Sequence, residues 1–384
     1  MSQQCPIRIA FTTRAPFLSG AEAALMQLAQ GMANAGHAVM IVCGQDGPVA
    51  ETYRSDGRFR VEICPLAYTD WRHPLRFWHC VRRLRKLFSD HRADVLHAND
   101  IPSYQAASLA AKQLSIPRVS HARFLLDSEE GARWFLRYGC ERVISVSDYL
   151  KGHLEEVSGE LFSGLVDVSR DGIKVPDPPT DDDRIKAREQ LGLDFEKYVF
   201  LFFGQFTPVK GLEELIPAIG QLGESVRSKA AFYLIGDDLQ NDGQYRRQMQ
   251  ELADRVVEGV LLEFPGFRRD VPEWLKACNC VLVPSRIDPL GMSAMESMAS
   301  ARAVIGSRVG GIPEMIDHGN TGMLVDSSDI LGLTQAMEKM SLDSNRADQM
   351  GLAGHQRAKE LFSLERHVAD IESIYRQVIA GHRG

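Results

Sequence analysis

Short apolar, β-branched runs alternate with helical patterns from one end of the chain to the other. In the first half the runs 7–13, 38–43, 61–66, 95–98, 118–121 and 143–146 read as strands. Helical periodicity fills the intervals, as at 21–35 and 104–113. The second half repeats the rhythm, with strands at 198–203, 231–235, 260–264, 280–283, 303–306 and 323–325. Apolar strands alternating with helices of about 10–15 residues predict parallel sheets covered by helices on both faces. A proline- and aspartate-rich stretch, 175–184, interrupts the alternation and reads as a stiff, solvated connector. The domains expected are therefore 1–175, a linker at 176–184, a second domain at 185–363 and a helix at 364–384. Asp181, Asp182 and Asp183 fit the first turn of a helix better than a cation site.

At 384 residues the chain is long enough for two such domains. Its net charge of −7 is uneven: residues 1–180 carry 21 basic and 20 acidic side chains, the rest 23 and 31. An acidic second half argues against general nucleic-acid binding. The seven cysteines are scattered and odd in number, which suits reduced, buried thiols. Cys278-Asn-Cys280 has a spacing open to metal or redox chemistry but lacks a second pair or a histidine cluster. No apolar run approaches the roughly 20 residues that span a bilayer, and 7–13 reads as a strand, not a signal segment. The expectation is a cytoplasmic protein.

Residues 284–296 carry the most chemistry. A strand ends, Asp288 and Gly291 lie in the loop, and a helix opens with Glu296 on its second turn. Free N–H groups and the positive end of the helix dipole suit an anion there. The two carboxylates cannot hold that anion but can accept from sugar hydroxyls. Phosphate at the helix mouth with hydroxyls on either side describes a nucleotide sugar. After the strand at 198–203 comes Gly204-Gln205, then Lys210-Gly211, then a helix at 212–222. A lysine at a helix start is disfavoured by the dipole unless an anion sits beside it; a solvated surface lysine is the alternative. Gly310-Gly311 before Glu314 is either a close backbone approach or a turn needed for packing. Gly20 opens the helix after the first strand, where G-x-G-x-x-G is absent, which lowers a dehydrogenase reading. His121 ends a strand, with Arg123 just after it, and is as open to a structural as to a catalytic role.

In order, Gly204…Lys210-Gly211, Phe264-Pro-Gly266, Asp288-x-Leu-Gly291…Glu296, Gly310-Gly-Ile-Pro-Glu314 and Gly319-x-Thr-Gly322 resemble the retaining glycosyltransferases of family 4, with Ser19-Gly20-Ala-Glu22 adding to this in the first half. The resemblance implies the GT-B fold. That fold has two Rossmann-like doubly wound domains facing a cleft, the first for acceptor and the second for nucleotide sugar, with the C-terminal helix (364–380) crossing back to the first. It implies donor-binding roles for Gly20, Gln205, Lys210, Arg268, Leu290, Gly291, Met292, Ser293 and Glu296, with Glu296 on the ribose and Arg268 near the base. It implies reaction-centre roles for His121, Asp288 and Lys210, no cofactor and no metal. The departures are Asp288 for the usual glutamate, Gln205 for the usual arginine, Ser19-Gly20 for a glycine pair, and Asp171-Gly172 for Asn-Gly.

The implied reaction is transfer from a nucleotide-diphosphate sugar to a hydroxyl acceptor, a glycan or a lipid-linked one, in bacterial surface polysaccharide, lipopolysaccharide or glycolipid assembly. Attack comes from the face the nucleotide leaves, and no covalent nucleophile stands out. A catalytically weak or inactive sugar-nucleotide-binding protein and a nucleotide-sugar epimerase are the alternatives. Residues 71–88 hold six Arg/Lys, no acid and two of the four tryptophans. Leu75, Trp78, Val81, Leu84, Leu87 and Phe88 recur there at helical spacing. This is either a helix packed on the sheet or a peripheral contact with the inner face of an anionic membrane, and both can hold.

Overall fold

The computed structural model describes residues 5–238 and 242–383. The chain divides into two compact units. One runs to Gly172 and takes in the chain from Leu364 onward; the other is Ile173–Ser363.

The first unit is built on seven strands: β1 (Arg8–Thr13), β2 (Ala38–Cys43), β3 (Arg60–Ile63), β4 (Val95–Ala98), β5 (Arg118–Ala122), β6 (Arg142–Ser145) and β7 (Val166–Val168). All pair in parallel, in the order β3-β2-β1-β4-β5-β6-β7. Strand alternation divides β1 between two cores. Ile9 and Phe11 pack with Leu25 and Leu28 of the helix Gly20–Asn34 and with Val368, Ile371 and Tyr375 of the helix Leu364–Arg383. Ala10 faces the other way, towards Phe77, Leu84 and Phe88 of the helix Pro74–His91. The helix from Leu364 is thus an integral layer of the first unit.

The second unit has six strands: β8 (Tyr198–Phe203), β9 (Ala230–Ile235), β10 (Leu261–Gly266), β11 (Cys280–Val283), β12 (Ala303–Ser307) and β13 (Met323–Val325). They too are parallel, in the order β10-β9-β8-β11-β12-β13. Phe200, Phe202, Phe232, Leu234 and Leu282 fill one face of this sheet and are all nearly inaccessible. Each such side chain stabilises by roughly 1.5–3 kcal/mol on burial. Both sheets reverse strand order once, between β1 and β4 and between β8 and β11. In open parallel sheets that crossover, at the carboxyl ends of the strands, is where ligands bind.

Every strand expected from the sequence forms, with ends shifted by at most three residues. The exception is β7, which was not anticipated: it is a three-residue edge strand that pairs only with β6. The acids of the expected linker 176–184 do cap a helix, which begins at Asp181 and so ends the connector earlier than expected. Thr180 accepts from Asp183 N, and the Asp183 carboxylate accepts from Thr180 N, at the mouth of the helix Asp181–Leu191. All seven cysteines are free, and Cys278 and Cys280 are buried. Burial pushes the Cys278 thiol up to about 11, so it is an inert core group and not a redox thiol. No described helix is long and apolar enough to cross a membrane.

Candidate active site

In the second unit the loops after β8 and β11, the two strands at the crossover, are joined directly. Arg286 N donates to Val209 O at 2.8 Å, and the Arg286 guanidinium pairs with Glu213 and Glu214 of the helix Leu212–Gly220. Gly211 lets the two loops approach: its φ is +72°, and a Cβ there would sit 1.9 Å from Pro284 O. No side chain fits that position.

This zipper sets Lys210 against Asp288. Lys210 Nζ donates to Asp288 Oδ2 at 2.7 Å, and the pair is mostly shielded from water. Asp288 Oδ1 accepts from Gly291 N at 2.8 Å and Leu290 N at 3.3 Å. Its backbone carbonyl accepts from Gly311 N at 3.1 Å. Gly310 (φ +57°) lies so close that a Cβ would be 1.8 Å from the same carbonyl. The glycine pair 310–311 is therefore the floor under Asp288.

The helix Met292–Ala299 opens at Gly291 with no side-chain cap. Of the backbone donors expected for an anion, Leu290 N and Gly291 N are already used by Asp288. Met292 and Ser293, at the first helical positions, are left at the helix mouth. Glu296, one turn on, is half-buried; its backbone carbonyl accepts from Ser300, while its carboxylate has no hydrogen-bond partner among the described residues. Its poorly solvated surroundings push its carboxyl up from the usual 4.5 to about 7.

Two other expected donor residues stand differently. Gln205 follows β8, and its Nε2 is buried without a hydrogen-bond partner. Arg268 follows β10, the sheet edge two strands from β8, which is about 10 Å away. It donates through Nε and Nη2 to Asp270 at 2.9 and 2.5 Å and is not part of the Lys210–Asp288 cluster.

In the first unit Gly20 opens the helix after β1. Ser19 caps that helix, accepting from Ala21 N, and its own N–H donates to Glu22. Glu22 is buried and also accepts from Thr13 Oγ1. His121, expected to face a ligand, is wholly buried on β5. Its Nδ1 lies 2.7 Å from His97 Nε2, and burial holds both imidazoles well below their usual range. Arg123 is paired with Asp171 and donates to Asn99 O. Sequence reasoning did not anticipate His97, Asp171 and His367 as neighbours of His121, since they stand on remote segments. The one signal was Asp171-Gly172, noted only as a departure from a motif.

Comparison with known proteins agrees with this architecture. The Glycosyl transferases group 1 family matches residues 183–357, and Glycosyltransferase Family 4 matches residues 18–163. The chain belongs to the family 4 glycosyltransferases, and its fold is GT-B. A D-inositol 3-phosphate glycosyltransferase of Stackebrandtia nassauensis is 27% identical over 272 residues, which is 66% of this chain and 61% of that protein. An alpha-maltose-1-phosphate synthase of Mycolicibacterium smegmatis is 30% identical over 250 residues, 62% of this chain and 64% of the relative. The chain thus spans less than two thirds of the length of either of these curated relatives. Among solved structures, Anabaena HepE in complex with UDP and glucose matches with a TM-score of 0.84 at 21% identity, over 96% of this chain and 99% of that one. WaaG, a glycosyltransferase involved in lipopolysaccharide biosynthesis, matches at 0.69 and 18% identity, over 94% of this chain and 99% of WaaG. At those identities the likeness shows the fold.

Proposed function

We propose that this chain transfers a sugar from a nucleotide-diphosphate sugar to an acceptor hydroxyl, with retention at the anomeric carbon. The observation that carries the reading is the Lys210–Asp288 pair beside an uncapped helix mouth, at the crossover of the second unit's sheet. In this reading Lys210 and the N–H groups of Met292 and Ser293 take up the charge of the departing diphosphate, the task a metal performs elsewhere. A preorganised donor of this kind contributes about 2.7–4 kcal/mol to the transition state. Asp288 holds Lys210 and orients the transferred sugar, and Glu296 accepts from the ribose hydroxyls. UDP-sugars are the first donors to test, because HepE holds UDP and glucose.

A thermal-shift screen against UDP-, GDP-, ADP- and dTDP-sugars tests this. A donor at 100 times its dissociation constant adds about 2.7 kcal/mol of stability. One nucleotide class should raise the melting temperature, and Glu296→Ala should abolish the rise. No response to any donor, or an undiminished response in Glu296→Ala, would refute the reading. Gln205 favours a second reading, donor binding with little turnover, because a neutral amide stands where the family has a cation. A donor-induced shift without release of nucleoside diphosphate in the presence of acceptors would favour it.

We also infer an acceptor presented at an anionic membrane surface. Phe77, Val81, Leu84, Leu87 and Phe88 of the helix Pro74–His91 pack into the first unit's core, so that stripe is structural. Trp71, Leu75 and Trp78 are left exposed beside Arg72, Arg76, Arg82 and Arg83, an apolar and basic pairing suited to an interface. Cosedimentation with phosphatidylserine vesicles, weakened in Leu75→Glu/Trp78→Glu and by salt, tests it; equal sedimentation of the variant would refute it.

A further inference from the structure

The first unit contains a buried polar cluster that the proposed transfer reaction does not use. His121 of β5, Asp171 after β7 and His367 of the helix Leu364–Arg383 converge, and one ligating atom of each lies within 4.8 Å of the others. All three residues are buried. The converging atoms, His121 Nε2, Asp171 Oδ1 and His367 Nε2, have no hydrogen-bond partner. An orphaned buried acceptor or donor costs about 1–3 kcal/mol, so three of them aimed at one point need an explanation.

The surroundings of each ligand narrow the choice. A metal-ligating imidazole hands its other ring nitrogen to a neighbour, which fixes ring and tautomer. Both rings have that neighbour: His121 Nδ1 meets His97 Nε2 at 2.7 Å, and His367 Nδ1 meets Ser169 Oγ at 3.0 Å. His97 is held in turn by Tyr375 OH. Asp171 Oδ2 is occupied by Arg123, which leaves Oδ1 for the cluster. When each ring donates through Nδ1, as these partners allow, both present Nε2 lone pairs and three acceptors face one point. A single water has two protons and cannot satisfy them all, whereas a cation can. Arg123, held to Asp171 through Oδ2, brings a positive charge to the edge of the cluster that a bound cation must share with that carboxylate.

We propose that His121, Asp171 and His367 bind a divalent transition-metal ion, Zn²⁺ by ligand type, that clasps the helix from Leu364 to the sheet of the first unit. Two imidazoles and a carboxylate with a fourth position for water make an ordinary zinc set. His367 Nε2 and Asp171 Oδ1 stand 3.9 Å apart. Bonds of about 2.0–2.1 Å to a tetrahedral ion would draw ligands to about 3.3 Å of each other, a closure small side-chain rotations can supply. The role is structural.

The test uses untagged full-length protein, equilibrated with Zn²⁺ and desalted. Elemental analysis should find about one zinc per chain in the wild type and little in Asp171→Asn or His367→Gln. Chelation should lower the wild-type melting temperature and added Zn²⁺ should restore it, a response that needs no variant to fold. Both variants, where they fold, should melt without responding to zinc. Iron at the same stoichiometry and with the same variant dependence would keep the site and change the ion. Wild-type protein holding less than about a tenth of an equivalent, or variants that hold as much metal as the wild type, would overturn the proposal, the latter by placing the metal elsewhere, as at the cysteines.

Discussion

Replacing Glu296 by glutamine should stabilise the ligand-free protein at alkaline pH while it weakens donor binding. Burial raises the Glu296 carboxyl from 4.5 to about 7 in the native protein. A raised acid binds more protons folded than unfolded, so stability that is fully present below pH 4.5 is lost as pH climbs towards 7 and stays lost above it. At 1.36 kcal/mol per pK unit the full loss is about 3 kcal/mol at pH 8, and under about 1 kcal/mol of it is present at pH 5. Glutamine cannot ionise and escapes that cost. Unit two, Ile173–Ser363, is of a size for which 1 kcal/mol shifts melting by about 2–4 °C, so Glu296→Gln should melt up to about 6–12 °C higher at pH 8. At pH 5 the two proteins should melt within a few degrees of each other. Scanning calorimetry of the full chain at both pH values gives the answer. An equal difference at pH 5 and pH 8, or a variant less stable at pH 8, would refute the reasoning.

Four further outcomes follow from the same structure. Donor affinity should weaken up to about tenfold per pH unit below pH 7 in the wild type, because Glu296 must be ionised to accept hydroxyls, and calorimetric titration should find that slope gone in Glu296→Gln. Gln205→Arg should tighten a nucleotide-diphosphate donor by about tenfold at low salt and by less at high salt, as measured by the same titration. Gly310→Ala should cost at least about 2 kcal/mol in chemical denaturation, because it combines a left-handed backbone with a clash on the Asp288 carbonyl. Ile371→Ala should destabilise unit one by about 2–5 kcal/mol and leave the donor-induced thermal shift of unit two in place.

Strands and the donor-type loops were legible because both depend on local pattern. A doubly buried strand such as Tyr198–Phe203 must be apolar throughout, and a helix mouth after it must carry glycine and few side chains. Lys210 and the helix mouth at Gly291 could be expected to lie near each other because each follows a strand end and parallel sheets align those ends, but the ion pair of Lys210 with Asp288 was not legible. Arg268 also follows a strand end, but strand order, which periodicity does not encode, puts β10 at the sheet edge and Arg268 about 10 Å from β8. The donors at Leu290 and Gly291 looked free because nothing local says that Asp288 turns its carboxylate back on its own loop. β7 escaped because three residues at an edge bury too little to mark a period. The cluster at His121 escaped more completely. Its members lie on a strand, a loop and a helix nearly 200 positions further on, and only the completed sheet makes them neighbours.

The membership of the helix Leu364–Arg383 in unit one has a consequence for biosynthesis. Domains ordinarily fold in the order in which they leave the ribosome. Here that order is inverted. Residues to Gly172 emerge first but lack Val368, Ile371 and Tyr375, which complete the core around Ile9 and Phe11. Ile173–Ser363 emerges second with its core entire. The nascent chain therefore holds an unfinished amino-terminal half, with one apolar face of its sheet open, for the whole time that nearly 200 further residues are being translated. Chaperone demand should concentrate in that interval, and a stop codon just ahead of Leu364 should release a chain whose second half is folded and whose first half is not.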